Sequence, residues 1–63
     1  MKTVDLSGGK TLNPCTYKQV CKMREFDTFH TNINNTQIMK RLSIREASEI
    51  IQSLINGEEI ELV

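Results

Sequence analysis

Three residues of this chain have side chains suited to covalent or metal chemistry: Cys15, Cys21 and His30. The two cysteines are six positions apart, a spacing found neither in redox CxxC sites nor in zinc knuckles. With a helix beginning near Thr16, the two thiols would point in different directions. A structural zinc site takes four ligands, and no fourth is evident. We therefore expect two reduced thiols, with no metal and no cofactor.

Catalysis needs an acid or base, a nucleophile and a group that holds developing charge, all in one pocket. Cys21 and His30 could form a thiolate–imidazole pair, but their sequence context marks neither a nucleophile elbow nor an oxyanion hole. The segment GGKT at 8–11 is similar to the end of a phosphate-binding loop and lacks its leading glycine. The carboxylates at 58–61 lack the spacing of a calcium loop. We expect no catalytic residue, and so a binding protein rather than an enzyme.

Charge is unevenly distributed along the chain, although the net charge is zero. Residues 1–45 contain all eight basic residues and three acidic ones, a net charge of +5, whereas residues 46–63 contain five acidic residues and no basic one. One interpretation is a basic surface for phosphates or for an acidic partner. The alternative is that the two halves neutralise each other after folding. The candidate basic surface consists of Lys18, Lys22, Arg24, Lys40, Arg41 and Arg45.

Two capping boxes predict the helices that would position these side chains. The first is TxxQ at 16–19, and apolar residues then keep helical spacing, which predicts a helix over about 16–27. The second is SxxE at 43–46, followed by an apolar stripe over about 44–56. Gly57 supplies a left-handed helix end. Both helices are amphipathic, and together they would provide most of the core.

The remaining segments have weaker signals. Residues 1–13 form an extended amino-terminal segment with glycines in a turn. Residues 27–41 are rich in Thr and Asn, which is typical of a loop, with Thr36 as a candidate cap for one short turn of helix. Residues 58–63 form an acidic and apolar tail.

These segments predict one small domain over residues 1–63. The predicted fold is mostly α, with two capped helices in a helical core over 16–56 and a long loop between them. An α+β alternative adds short strands at the termini, through pairing of residues 2–6 with the tail.

The two capping boxes also carry a family resemblance. TxxQ at 16–19, followed by SxxEASxxI at 43–51, resembles a short two-helix module of phage and bacterial accessory proteins. That module is often attached to helicases, nucleases or single-strand-binding proteins. The resemblance implies an accessory role in nucleic-acid transactions, with Lys18, Lys22 and Arg45 as the contacts.

Three functions remain open. The preferred one is a small non-catalytic regulator or inhibitor, of the kind that phages and mobile elements carry, which docks on a larger host protein such as a nuclease, as anti-CRISPR proteins do. The second is a nucleic-acid-binding accessory module that uses the basic surface. The third is a structural homodimer that buries spare apolar surface. Ile60 and Leu62 are the candidate docking residues, and the expected partners are a larger protein, a second copy or nucleic acid.

The chain has no membrane or export signal in its sequence. Its first ten residues lack the apolar run of a signal peptide, and no stretch approaches the roughly 20 apolar residues of a membrane span. We therefore expect a cytoplasmic protein without a membrane partner.

Overall fold

The computed structural model describes residues 1–63 as a three-stranded parallel sheet with three helices packed on one face. In chain order the elements are β1 (Lys2–Val4), α1 (Tyr17–Arg24), β2 (Phe29–Thr31), α2 (Asn35–Arg41), α3 (Ile44–Ile55) and β3 (Ile60–Leu62). The predicted fold with two helices and a long loop is therefore wrong. The chain has a third helix and a complete small sheet, which make it an α+β fold.

β3 is the middle strand of the sheet, and β1 and β2 pair with it in parallel from its two sides. Ile60 lies opposite Lys2 on one side and opposite Phe29 on the other. Parallel strands need crossover connections, and here every crossover contains at least one helix. The two termini do pair, as the α+β alternative required, but the sheet also includes residues 29–31 from the predicted loop.

Both predicted capping boxes form. The Oγ1 atom of Thr16 accepts the backbone N–H of Gln19 at 3.1 Å, and Oε1 of Gln19 accepts the backbone N–H of Thr16 at 3.0 Å. Ser43 and Glu46 repeat this arrangement, with both distances at 3.1 Å. Each box satisfies two backbone donors that a helix start leaves without partners.

The helix ends differ slightly from the prediction. α1 ends at Arg24 instead of near residue 27, because the chain turns there to bring Phe29 into the sheet. α3 ends at Ile55, and Gly57 has a φ of 88°. That left-handed conformation is the helix end predicted at this glycine.

α2 lies within the segment that the sequence predicted to be a loop. Its cap is Asn34 rather than Thr36, since Oδ1 of Asn34 accepts the backbone N–H of Gln37 at 2.9 Å. Asn and Thr are poor helix formers, so intrinsic propensity argues against a helix here. The helix forms because it buries Ile38 against the core, with Leu42 buried directly after it.

The core consists of twelve buried apolar residues, and no polar residue is buried. The predicted docking residues Ile60 and Leu62 belong to this core, with exposed fractions of 0% and 3%. They lie on the middle strand, where alternate side chains point at the helices. Their assignment to a docking surface therefore needs correction, because a buried side chain contacts no partner.

The molecule has principal extents of 28, 20 and 17 Å. Its longest helix, α3, has 12 residues. A helix needs about 20 apolar residues to cross a bilayer, so none of the three helices is a membrane span.

Candidate functional site

Two segments of chain meet where α1 and α3 begin. Three backbone hydrogen bonds pair residues 11–15 with residues 40–44: from Thr11 to Lys40 (2.9 Å), from Cys15 to Leu42 (2.8 Å) and from Ile44 to Asn13 (3.0 Å). An isolated antiparallel bridge joins the same two segments. This pairing holds the amino termini of α1 and α3 at one corner of the molecule.

Gln19 connects the two helix starts through its side chain. Its Oε1 atom serves the capping box of α1, which leaves the amide nitrogen Nε2 to donate elsewhere. Nε2 donates to the carbonyl oxygen of Ile44 and to Oγ of Ser48, both at 3.2 Å. A glutamate could complete the capping box but could not donate these bonds. The glutamine therefore fixes the position of α3 relative to α1.

Three large apolar side chains lie at this corner and are exposed to solvent. The exposed fraction is 98% for Leu12, 60% for Tyr17 and 47% for Ile44. Burying one such side chain contributes about 1.5–3 kcal/mol compared with leaving it in water. None of these three side chains gains this burial free energy within the folded chain. We call these three residues the apolar corner.

Two of the six predicted basic residues have structural roles. Arg24 donates from Nε to Oδ1 of Asn35 and from Nη2 to the carbonyl oxygen of Ile33, both at 2.6 Å. It thereby ties the end of α1 to the loop between β2 and α2. Arg41 donates from Nη1 to the carbonyl oxygen of Leu6 at 3.3 Å. These two side chains hold the fold together as well as carrying charge.

Two more of the six basic residues form local ion pairs. The Lys22 ammonium lies 3.5 Å from the Glu25 carboxylate, and Nε of Arg45 lies 3.8 Å from that of Glu49. All four side chains are more than half exposed, so each pair contributes only about 0–1 kcal/mol. The other two residues, Lys18 and Lys40, form no side-chain hydrogen bond or ion pair.

Basic residues neighbour the apolar corner along the chain. Residues 6–24 and 28–45, which include both segments paired there, contain no acidic residue. Lys18 follows directly after Tyr17, and the backbone of Lys40 is bonded to Thr11, next to Leu12. The closest acidic residue in the sequence, Glu46, uses its carboxylate in the capping box of α3. Exposed apolar side chains and residues with unpaired cations are thus neighbours along these two segments.

The acidic residues lie elsewhere. Asp27 precedes β2, and Glu58 and Glu59 precede β3. Because these strands are parallel, all three acids lie at the amino end of the sheet, where α1 and α3 end rather than begin. No ion pair includes the acidic tail. Basic residues lie at this end as well, since Lys22 and Arg24 are in the last turn of α1 and the backbone of Lys2 is bonded to that of Glu59.

The three residues suited to covalent or metal chemistry, Cys15, Cys21 and His30, lie in different environments. Cys15 is buried, its Sγ donates to the carbonyl oxygen of Ile38 at 3.9 Å, and burial raises the pKa of its thiol. Cys21 is exposed on α1. His30 lies on the open face of the sheet, because its neighbour Phe29 points into the core. No three His, Cys, Asp or Glu side chains are grouped as metal ligands would be.

The different surroundings of the two thiols predict different reactivities. In the folded protein at neutral pH, Cys21 should react rapidly with a thiol reagent such as DTNB. Cys15 should react at least roughly a hundredfold more slowly, because its thiol must first be exposed by opening of the core. Cys21→Ser should remove the fast phase, whereas Cys15→Ser should leave it unchanged. Two fast phases of equal amplitude would contradict the placement of Cys15.

Comparison of the chain with protein-family models, curated proteins and solved structures finds no match. The resemblance to a two-helix accessory module, and the nucleic-acid role that it implies, therefore stay predictions. The case for a function depends on the geometry of the chain itself.

Proposed function

We propose that this chain is a non-catalytic binding domain that docks on a larger protein through the apolar corner. The observation that carries the proposal is the exposure of Leu12, which is 98% accessible although it lies between residues bonded to the body of the fold. Tyr17 and Ile44 extend this apolar surface from two helix starts. Aromatic and aliphatic side chains that enter a pocket of the partner are the usual centre of a protein interface.

The partner's surface follows from the charges around the corner. Lys18 and Lys40 have no intramolecular partner, so a complementary surface offers an apolar groove rimmed by acidic side chains. A second copy of the chain fits poorly. In a two-fold dimer each patch meets itself, so the cations on one copy would face a patch that carries the same cations and supplies no free carboxylate from residues 6–24 or 28–45. The charges therefore favour a different protein over a homodimer.

Nucleic acid is the competing ligand. Its affinity depends mainly on cations that neutralise phosphates. Of the six basic residues predicted for this role, Arg24 and Arg41 donate to backbone carbonyls, and two others are in ion pairs. Lys18 and Lys40 are without contacts and Arg41 keeps unused N–H groups, but a phosphate backbone would leave the apolar corner unused. That the partner is a nuclease, and that docking inhibits it, stays a prediction from the sequence.

A double charge substitution tests the proposal. Leu12→Glu with Ile44→Glu should leave the chain folded, because neither side chain belongs to the core, and should weaken docking at least about a hundredfold. The matched control is Thr36→Glu with Gln52→Glu, which adds the same charge at exposed positions of α2 and α3. Immobilised wild type and both variants would capture proteins from an extract of the source cells.

Any protein retained by the wild type and the control, but not by the corner variant, would then be purified. Isothermal titration calorimetry would measure its Kd for all three chains. Equal affinities of the two variants would reject the apolar corner as the docking surface.

Two further measurements test the alternative functions. Single-stranded and duplex DNA are titrated at low and moderate salt, and light scattering gives the mass of the chain alone. Salt-sensitive DNA binding that the corner variant retains would support the accessory module instead, and a dimeric mass would support the homodimer.

A further inference from the structure

A polar groove lies beside the carboxyl ends of the sheet strands, next to α2. It has a volume of about 340 Å³ and is lined by Asn32, Ile33, Asn34, Gln37 and Arg41. In open α/β sheets, ligands bind outside the carboxyl ends of the strands. The volume is at the lower end of the range for small-molecule sites, which is enough for a small charged group.

Arg41 provides the only charge among the residues that line the groove. Its single hydrogen bond, from Nη1 to the carbonyl oxygen of Leu6 at 3.3 Å, holds the guanidinium beside the end of β1. A guanidinium has five N–H groups in a planar fork. This contact uses one of them, and the others have no acceptor within the protein.

The other polar side chains of the groove are uncharged amides. Oδ1 of Asn34 caps α2 by accepting from Gln37, which leaves the NH₂ group of Asn34 as a donor. The side chains of Asn32 and Gln37 form no hydrogen bond within the protein. The groove thus contains several unused donors and no carboxylate.

No acidic residue lines the groove itself. Glu61 lines an adjoining cleft of about 270 Å³, which shares Asn32 and Ile33 with the groove. The carboxylate of Asp5 accepts the backbone N–H of Ser7 at 2.8 Å, and that bond lowers the pKa of Asp5. Neither acid forms an ion pair with Arg41. The positive charge of Arg41 therefore remains available to a ligand.

We propose that this groove binds an oxyanion, as a phosphate or carboxylate group, through paired hydrogen bonds from Arg41. Bidentate bonds from a guanidinium to such a group are short and charge-assisted. The amides of Asn32 and Gln37 complete the set of donors. The oxyanion belongs either to a free small molecule or to an acidic side chain of a docked protein. The site does not depend on the apolar corner.

Nuclear magnetic resonance titration of the ¹⁵N-labelled chain tests this site. The probes are inorganic phosphate, acetate and a capped Gly-Asp-Gly peptide, with chloride as the ionic-strength control. We expect saturable shifts of the side-chain amides of Asn32 and Gln37 and of the Nε–H of Arg41. A response to phosphate alone assigns a phosphorylated ligand. A response to acetate and the peptide as well assigns the site to carboxylates, including those of a docked protein.

Variants distinguish a specific oxyanion site from nonspecific electrostatic attraction. Arg41→Gln should raise the Kd of the oxyanion at least about tenfold, whereas Arg45→Gln, which removes the same charge at α3, should leave it unchanged. Arg41→Lys keeps the charge without the planar fork and should weaken binding by an intermediate factor. The spectrum of each variant shows whether it is folded. Absence of saturable shifts in the wild type, or equal affinity in Arg41→Gln, would overturn the proposal.

Discussion

Ile60→Asp is expected to unfold the whole domain. Ile60 is fully buried on the middle strand, and its backbone N–H donates to the carbonyl oxygen of Thr28 at 3.1 Å. The core has no polar side chain that could pair with a new carboxylate. Burying an unpaired charge costs several kcal/mol, and a 63-residue domain has a total stability of roughly 3–9 kcal/mol. Far-UV circular dichroism and the dispersion of amide proton shifts would show the loss.

The neighbouring residue provides the control for this substitution. Glu61→Asp places the same aspartate one position along β3, where the side chain points to the open face of the sheet. We expect the free energy of unfolding to change by less than about 1 kcal/mol. If Ile60→Asp remained folded and lost only partner binding, the carboxyl-terminal segment would be a docking element, as the sequence suggested.

The helix starts could be predicted because their chemistry is local. A threonine or serine and a residue three positions later define a capping box without reference to the rest of the fold. The strands could not be predicted in this way. β2 and β3 have three residues each, too few for an alternating pattern to be distinguished from chance. Their pairing depends on contacts between residues about thirty positions apart, and α2 depends on the burial of Ile38 rather than on its own propensity.

Of the candidate site, the sequence predicts only which basic residues it contains. Counting basic residues identified Arg24 and Arg41, but the sequence does not show that both donate to backbone carbonyls. Tyr17 is one of the apolar residues with helical spacing after the first capping box, a position that predicts burial, yet it is 60% exposed. The signal that could have found the apolar corner is Leu12. It lies between polar residues just before a proline turn, outside any amphipathic stripe, where no element of the fold buries it.

Leu42→Ala is expected to destabilise the domain by about 2–5 kcal/mol, a large part of its total stability. Leu42 is fully buried at the junction of α2 and α3. Truncation leaves a cavity that neighbouring side chains cannot fill, since the adjoining backbone is fixed by the bond from Cys15 to Leu42. Leu12→Ala removes the same atoms from a side chain that is almost fully exposed, and it should change stability by less than about 0.5 kcal/mol. Urea unfolding of both variants measures the two values.

The Leu12→Ala result bears on function as well as on stability. The docking proposal centres on Leu12 because this exposed side chain lies at a corner that three backbone bonds and Gln19 hold in place. Unchanged stability together with weakened docking would show that Leu12 contributes to partner binding and not to folding. A destabilisation comparable to that of Leu42→Ala would mean that Leu12 packs against the domain in solution. The apolar corner would then be closed to a partner, and the docking proposal would fail.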